Sequence, residues 1–224
     1  MQNKPYLIYN CHAAELALKN NRRSIIHVYC SSTFFTSHKD IITKHKYSIT
    51  NTYNGIAIKT LGVLTLPITS YCIDKIKSSR VLLLDHLTDI GNIGNIIRSA
   101  AGLGFNTVIS EKRNSPEENA DLARIAAGGM EFISFIKVTN LQKTIIDLKE
   151  QGFWTVGLDS KGNQDINIVT GYNKLALVIG AEDKGIRDLV KKRCDVLAYI
   201  PADNIESLNA AAAAAIGMHC LRKI

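Results

Sequence analysis

Short apolar runs and segments of helical period alternate along residues 80–224. The runs are continuous, as in Val81-Leu82-Leu83-Leu84, which is typical of parallel strands buried on both faces. Strands are predicted at Val81–Asp85, Asn106–Ser110, Ile133–Val138, Trp154–Asp159, Leu175–Gly180 and Val196–Pro201. Helices are predicted between them, at Ile93–Leu103, Ala120–Ala127, Leu141–Gln151, Ile186–Arg193 and Ser207–Arg222. This alternation predicts an α/β fold with a parallel sheet.

The first 72 residues predict a small α/β module of their own. Strands are predicted at Tyr6–Tyr9, Ser24–Cys30 and Gly55–Leu66, and helices at His12–Asn20 and Asp40–Lys46. A polar, lysine-rich stretch follows. We therefore expect a module over 1–72, a linker over 73–79 and a second domain over 80–224.

Positive charge is concentrated in the first 79 residues. That segment holds ten lysines and arginines against three acids, whereas residues 80–224 hold 17 of each and are neutral. Because neutralisation of phosphates gives RNA or DNA affinity that does not depend on sequence, the split predicts a module that binds a polyanion. Arg22 and Arg23 are predicted to be among its phosphate contacts. An ordinary solvated lysine surface is the alternative.

Composition excludes several classes of protein. With 46% hydrophobic and 21% charged residues, the chain can form a core. Residues 1–10 do not look like a secretory signal, and no apolar run is long enough to span a membrane. The five cysteines (Cys11, Cys30, Cys72, Cys194 and Cys220) form no Cys-x-x-Cys pair, which predicts neither a disulfide framework nor a zinc site. These features predict a soluble protein of the reducing cytoplasm.

Three clusters of chemically useful residues follow predicted strands. They are Asp89–Arg98, Gly180–Gly185, and Ile200-Pro201 with Glu206–Asn209. Open α/β sheets form their ligand crevice at the carboxyl ends of parallel strands. The clusters therefore predict a binding site at that edge.

Each cluster also has a purely structural interpretation. Asn92 would cap a helix after a glycine-shaped turn, Gly180 and Gly185 would bound an ordinary loop, and Glu206-Ser207 would begin a helix. Nucleotide-binding dehydrogenases and Walker-type enzymes are disfavoured, because neither glycine motif is present. No nucleophile–base pair or metal-ligand cluster is evident, and His86 and His219 are interpreted as structural.

Together the clusters resemble the motifs of the SpoU (TrmH) family of RNA 2′-O-ribose methyltransferases, in the trefoil-knotted SPOUT class. The motifs are Asn92-x5-Arg98, Gly180-x-Glu182-x-x-Gly185, and Ile200-Pro201 with Ser207-Leu208-Asn209. Residues 1–72 resemble the domain, similar to ribosomal protein L30e, that precedes the knot in the 23S rRNA guanosine-2′-O-methyltransferase subgroup. That likeness lies in Tyr9-Asn10-Cys11-His12-Ala13 and Asn54-Gly55-Ile56-Ala57.

The resemblance implies a cofactor, a substrate and residue roles. S-adenosylmethionine is expected to lie in the knot, met by Gly180, Gly185, Ile200 and Leu208, and no metal is expected. Arg98 would grip an RNA phosphate and orient the 2′-hydroxyl. Asn92 and Asn209 would fix the position of Arg98 or of the ribose. Ser207 would contact substrate or cofactor, and Glu182 would hold the loop or pair with a positive charge. A homodimer through the knot would complete the substrate site.

Several departures from the family pattern keep two alternatives open. Ile90 replaces a proline, the loop from Pro201 to Ser207 is one residue short and lacks a glycine, and Ala211 and Asn10 replace a serine and a glycine. The basic module favours 23S rRNA as substrate, with a tRNA ribose methyltransferase as one alternative. The second alternative is a non-catalytic RNA-binding or ribosome-assembly factor on the same fold.

Overall fold

Two β-sheets organise the computed structural model, which describes residues 5–43, 48–51, 56–60, 76, 78–169 and 171–222. The predicted linker 73–79, the boundary at residue 72 and the dipeptide Asn54-Gly55 lie wholly or mostly outside the described residues.

The small sheet is mixed. Its strands run in the order β1-β4-β2-β3, and only β2 and β3 are parallel. The helices α1, α2 and α3 belong to this part of the chain. The bounds are β1 Tyr6–Ile8, α1 Cys11–Lys19, β2 Ile25–Cys30, α2 Ser32–Ser37, α3 Lys39–Thr43, β3 Ser48–Asn51 and β4 Ile56–Thr60.

The large sheet has seven strands in the order β7-β6-β5-β10-β8-β11-β9, and every adjacent pair is parallel. Its strands are β5 Arg80–Leu84, β6 Thr107–Glu111, β7 Ser134–Val138, β8 Trp154–Leu158, β9 Gln164–Asp165, β10 Leu175–Ile179 and β11 Val196–Tyr199. Its helices are α4 Ile90–Leu103, α5 Ala120–Ala126, α6 Leu141–Glu150, α7 Asp188–Lys191 and α8 Ala210–Leu221.

The helices of the large sheet cover both of its faces. One core contains residues of α4, α5 and α8, and the other contains residues of α6 and α7. The central strand β10 is buried at all five positions. Coverage on both faces explains why this central strand is continuously apolar.

A buried ionic cluster joins the two sheets. The Arg23 side chain is fully buried, and its guanidinium donates to Glu118 Oε1 at 2.7 Å and to Glu131 Oε1 at 2.5 Å. The Tyr6 hydroxyl donates to Glu118 and accepts from Arg23 at 2.7 Å. Burial raises the pKa of Glu118, and the positive charge of Arg23 offsets only part of that increase. Arg22 reinforces the junction by donating to the carbonyl of Glu131 at 2.8 Å.

This junction corrects the predicted role of Arg22 and Arg23. Both were expected to contact RNA phosphates, but the Arg23 guanidinium is enclosed between two carboxylates and Arg22 binds backbone carbonyls. The carboxylates come from residues about one hundred positions away, so their pairing with Arg23 is not visible in the local sequence.

The predicted α/β class and the parallel sheet are confirmed, and each predicted strand is present within two residues at every described end. The last helix begins at Ala210, not at Ser207, because the Asn209 side chain caps it. Asp89, not Asn92, caps α4. The short elements α2, β3 and β9 were not predicted.

The described part of the chain contains no helix long and apolar enough to cross a bilayer. Within it, Cys11, Cys30, Cys194 and Cys220 are free thiols, while Cys72 lies outside the described residues.

Candidate functional site

A cleft of about 320 Å³ opens where three adjacent strands end. Strands β10, β8 and β11 are neighbours, and each is followed by a loop that lines the cleft. These loops contain residues 180–185, 159–161 and 200–208. Such a crevice at the carboxyl edge of a parallel sheet is where open α/β folds bind ligands.

The loop after β10 owes its shape to its two glycines. Gly180 is so close to the other end of the loop that an added Cβ would lie 2.1 Å from the carbonyl carbon of Gly185. Ala181 and Gly185 exchange backbone hydrogen bonds of 3.2 and 2.8 Å, and Gly185 has a φ of +62°. Both glycines are therefore required by the backbone itself.

Asn209 links three parts of the site. Its Oδ1 accepts from the backbone nitrogens of Ala211 and Ala212 and so caps α8. Its Nδ2 donates to Asn92 Oδ1 at 2.9 Å and also to Glu182. The three polar residues predicted from separate motifs thus form one hydrogen-bonded chain.

Glu182 lies at the amino end of α8, where it accepts from Asn209 and, at 3.4 Å, from the backbone nitrogen of Ala210. A carboxylate at a helix amino terminus is stabilised by the unpaired N–H groups and the helix dipole. Glu182 therefore holds the loop after β10 against α8, and it also lines the cleft.

The remaining predicted cofactor residues line the cleft as well. Gly180, Gly185, Ile200 and Leu208 all contribute to its wall. Ser207 also lines it and is exposed. The structure thus brings the four predicted cofactor residues, Glu182 and Ser207 to one cavity.

Arg98 lies apart from this cavity. It is exposed on α4, about 9 Å beyond Asn92 along the helix axis. Among the described residues, no hydrogen bond or ion pair engages its guanidinium, and it does not line the cleft.

An ion pair that the sequence did not single out borders the cleft. Lys191 on α7 lies 2.6 Å from Asp159 Oδ2, and both residues line the cavity. Burial alone would raise the pKa of Asp159, but hydrogen bonds from Lys191 and from the Lys161 backbone outweigh it and lower that pKa. The signal was available, because Asp159 follows a strand just as Gly180 does.

Arg187 fixes the far end of the loop after β10. Its Nε donates to the buried Asp85 at 2.7 Å, its backbone nitrogen donates to the same carboxylate at 2.8 Å, and its Nη2 lies 2.8 Å from Glu111. His86, which has a φ of +54°, approaches Glu111 at 2.9 Å.

No metal-ligand cluster is evident in the sequence, yet Asp85, His86 and Glu111 place ligand atoms within 4.8 Å of one another. The Arg187 guanidinium occupies the position of a cation between the two carboxylates. The positive charge that balances these two carboxylates therefore comes from Arg187.

Comparisons with known proteins bear on residues 79–219, which match the model of the "SpoU rRNA Methylase family". A Bacillus subtilis protein named "Putative TrmH family tRNA/rRNA methyltransferase YacO" is 40% identical over 139 residues, which are 62% of this chain and 56% of that protein. A Staphylococcus haemolyticus protein of the same family name is 38% identical over 65% of this chain and 59% of its own length. The chain thus matches little more than half the length of these relatives.

Solved structures extend the similarity of fold to nearly the whole chain. The SpoU methyltransferase AviRb from Streptomyces viridochromogenes, solved with AdoMet, has a TM-score of 0.81 at 19% identity, covering 96% of this chain and 88% of that one. An AdoMet-bound rRNA methyltransferase from Sinorhizobium meliloti has a TM-score of 0.79 at 17% identity, covering 96% and 86%.

Proposed function

Because the chain belongs to the SpoU rRNA methylase family, we propose that it transfers a methyl group from S-adenosylmethionine to a ribose 2′-hydroxyl of structured RNA. The observation that carries the proposal is the cleft whose wall contains Gly180, Gly185, Ile200 and Leu208, with Glu182 linked through Asn209 to Asn92. We take 23S rRNA as the substrate, since the positive charge of residues 1–79 suits a large structured RNA. Guanosine as the target base rests on the resemblance of residues 1–72 to the guanosine-2′-O-methyltransferase subgroup.

The residues of the cleft fit S-adenosylmethionine. A volume of about 320 Å³ is within the range of small-molecule sites. Apolar side chains such as Leu158 and Leu208 line it together with charged ones of both signs, including Glu182 and Lys191. This mixture suits a ligand that has an apolar ring system and a zwitterionic amino-acid end. When bound, S-adenosylmethionine would supply a methyl group that its sulfonium makes electrophilic.

The residues of this chain would hold and orient the reactants. Gly180 and Gly185 keep the loop backbone close to the cavity, and the Asn92–Asn209–Glu182 chain fixes the positions of α4, α8 and the loop. Fixing both reactants in line removes a large part of the entropic barrier. Ser207, which is exposed and lines the cleft, is proposed to contact substrate or cofactor.

Arg98 is proposed to act on the RNA rather than on the cofactor. Its exposed guanidinium can bind a phosphate with two parallel hydrogen bonds and so orient the adjacent ribose. Since Arg98 is outside the cleft of its own chain, we propose that a homodimer formed through a trefoil-knotted domain completes the substrate site. An L30e-like module over residues 1–72 belongs to the same proposal.

The experiment is single-turnover methyl transfer with labelled S-adenosylmethionine on deproteinised 23S rRNA and on total tRNA. Wild-type protein is expected to label 23S rRNA at a ribose. Arg98→Ala is expected to reduce the rate by at least 100-fold while calorimetry shows unchanged cofactor affinity. A methyl-transfer rate of Arg98→Ala within a few-fold of the wild-type rate would contradict the proposed role of Arg98.

A tRNA substrate is the second candidate. It is favoured by the relatives whose names include tRNA/rRNA. A solved structure that concerns "2-OH methylation of C/U34 on tRNA" shares the fold, with a TM-score of 0.54 at 20% identity over 61% of this chain. Labelling of tRNA but not of 23S rRNA in the same assay would select it. A protein that binds RNA but shows no calorimetric binding of S-adenosylmethionine would instead be a non-catalytic RNA-binding factor.

A further inference from the structure

We propose that the small sheet binds an unpaired stretch of RNA on the face that carries His27 and Tyr29, with bases stacked on these two rings. We call this the outer face. The inference rests on the proposed function, because it names the part of the chain that recognises the RNA substrate.

The strand register defines the outer face. Leu7 and His27 both pair with Lys59 in β4, and His27 also pairs with Ser48 in β3. In the next row Ala57 pairs with Tyr29, and Tyr29 pairs with Thr50. Directly opposed residues project to the same side of a sheet. The outer face therefore comprises Leu7, His27, Tyr29, Ser48, Thr50 and Ala57.

The other face of the sheet forms the core of the module. Ile8, Val28 and Ile58 are buried there together with residues of α1 and α3. On the outer face, by contrast, Leu7 is 42% exposed, Ser48 and Thr50 are exposed, and His27 and Tyr29 are partly buried but not enclosed. The two aromatic rings are thus accessible on a surface that the module's own core does not need.

The rings of His27 and Tyr29 form a fixed platform. Their centroids are 4.3 Å apart, with an angle of 41° between the planes. His27 Nδ1 lies 2.5 Å from Ser48 Oγ and Nε2 lies 2.8 Å from Thr50 Oγ1, so both ring nitrogens are held. A platform that is already ordered loses little conformational entropy when a base stacks on it.

The strands of the small sheet place no negative charge on the outer face. The four strands contain no aspartate or glutamate. Glu15 and Asp40 lie on α1 and α3, which cover the opposite face, and Glu15 is paired with Lys19 at 2.7 Å. Phosphates approaching the outer face therefore meet no carboxylate from the strands.

Aromatic rings and hydroxyls on a flat sheet favour unpaired over paired RNA. In a duplex the base faces are covered by their neighbours, whereas bases in a loop can be splayed onto histidine and tyrosine rings. Stacking of this kind gives affinity with little dependence on sequence, and removing one ring typically weakens binding by about tenfold.

The test uses the full chain and fluorescence anisotropy with two labelled RNAs, a hairpin with seven unpaired uridines and a blunt duplex of equal length. Tyr29→Thr suits a strand but removes the ring, Tyr29→Phe keeps the ring, and Phe132→Thr removes an exposed aromatic (56%) outside the small sheet as the matched control. We expect Tyr29→Thr to bind the hairpin about tenfold more weakly with an unchanged salt slope. Tyr29→Phe and Phe132→Thr should bind as wild type does, and duplex binding should be unaffected in all.

Hairpin affinity of Tyr29→Thr within twofold of wild type would overturn the proposal. So would a change in sedimentation without a change in RNA affinity, which would make the outer face a contact between copies of the chain. Should Tyr29→Thr lower the melting temperature, cross-linking of wild-type protein to a 4-thiouridine hairpin decides instead. Cross-links must then fall within the tryptic peptides 24–39 or 47–59, and their absence there contradicts the proposal.

The proposed function is judged separately, by methyl transfer and by calorimetry with S-adenosylmethionine. Wild-type protein that methylates RNA while Tyr29→Thr binds the hairpin normally would refute only the outer face as a binding site. Wild-type protein that binds the hairpin through Tyr29 but binds no cofactor would refute only the methyltransferase.

Discussion

Asn209 and Asn92 are 117 positions apart in the chain, and the Nδ2 of the first donates to the Oδ1 of the second at 2.9 Å. The bond joins the start of α8 to the first turn of α4. Asn92 is buried, so its oxygen depends on this donor. A single amide thereby connects the first and third sequence motifs.

Replacement of Asn209 separates its two roles. Asn209→Ala removes the cap of α8 and the donor to Asn92, and we expect a loss of about 2 kcal/mol in the free energy of unfolding. Asn209→Ser retains a capping oxygen but not the reach to Asn92, so it should recover about 1 kcal/mol of that loss. Urea unfolding measures both. Because both variants lack the donor to Asn92, equal stability would show that the helix cap contributes nothing.

Gly180→Ala should deform the loop after β10. The new Cβ would lie 2.1 Å from the Gly185 carbonyl carbon, so the backbone must move. We expect S-adenosylmethionine affinity to fall at least tenfold in calorimetry. Gly102→Ala is the matched control, because nothing lies within 4 Å of its added Cβ and it lies inside α4. The control should bind normally and gain up to about 1 kcal/mol in stability.

Arg23 should matter for stability and not for phosphate binding. Arg23→Met leaves the buried Glu118 and Glu131 without their shared cation, and we expect a loss of about 3–5 kcal/mol in the free energy of unfolding. Arg124→Met, at an exposed ion pair of 3.5 Å, should lose less than about 1 kcal/mol. Denaturant unfolding compares them. A loss at Arg23 no larger than that at Arg124 would contradict the role of the junction.

Lys137 should make stability depend on pH in the alkaline range. Burial lowers the pKa of Lys137 to about 8, while its amine donates to the Pro116 carbonyl at 2.8 Å. The unfolded side chain titrates near about 10.4, so between these values the unfolded state binds more protons and the free energy of unfolding rises with pH. Lys137→Met lacks this contribution. Unfolding of both proteins at pH 7–10 is the measurement, and parallel curves would contradict the lowered pKa.

Six of the seven strands of the large sheet could be predicted, because they are mainly apolar runs of the kind that a sheet covered on both faces requires. The seventh, β9, consists of two polar residues and gives no such signal. The start of α8 was misplaced, since Ser207 and Glu206 resemble a helix start as well as Asn209 does, and only the contacts to Ala211 and Ala212 decide. The gathering of cleft residues followed from the rule that parallel strands end at one edge.

Pairings between distant residues could not be predicted. Arg23 looked like a phosphate ligand because its partners, Glu118 and Glu131, lie about one hundred positions further along the chain, between β6 and β7. His86 was interpreted as structural, and the contact that it makes with Glu111, beside the Arg187 ion pairs, was not predicted. In both cases the local sequence shows the side chain, whereas the residue with which it pairs is distant in the chain and is brought close only by the fold.

The buried cluster around Arg23 has a consequence for how a target would be chosen. Swinging the small sheet away from the large one would expose Glu118 and Glu131 and break their bonds to Arg23, so the spacing between the outer face and the cleft is set by the fold. For an enzyme that acts on RNA as proposed, the two sheets would fix the distance between the RNA loop bound at the outer face and the ribose at the cleft. The distance between the methylated ribose and an unpaired loop would then be one of the features by which the target is selected.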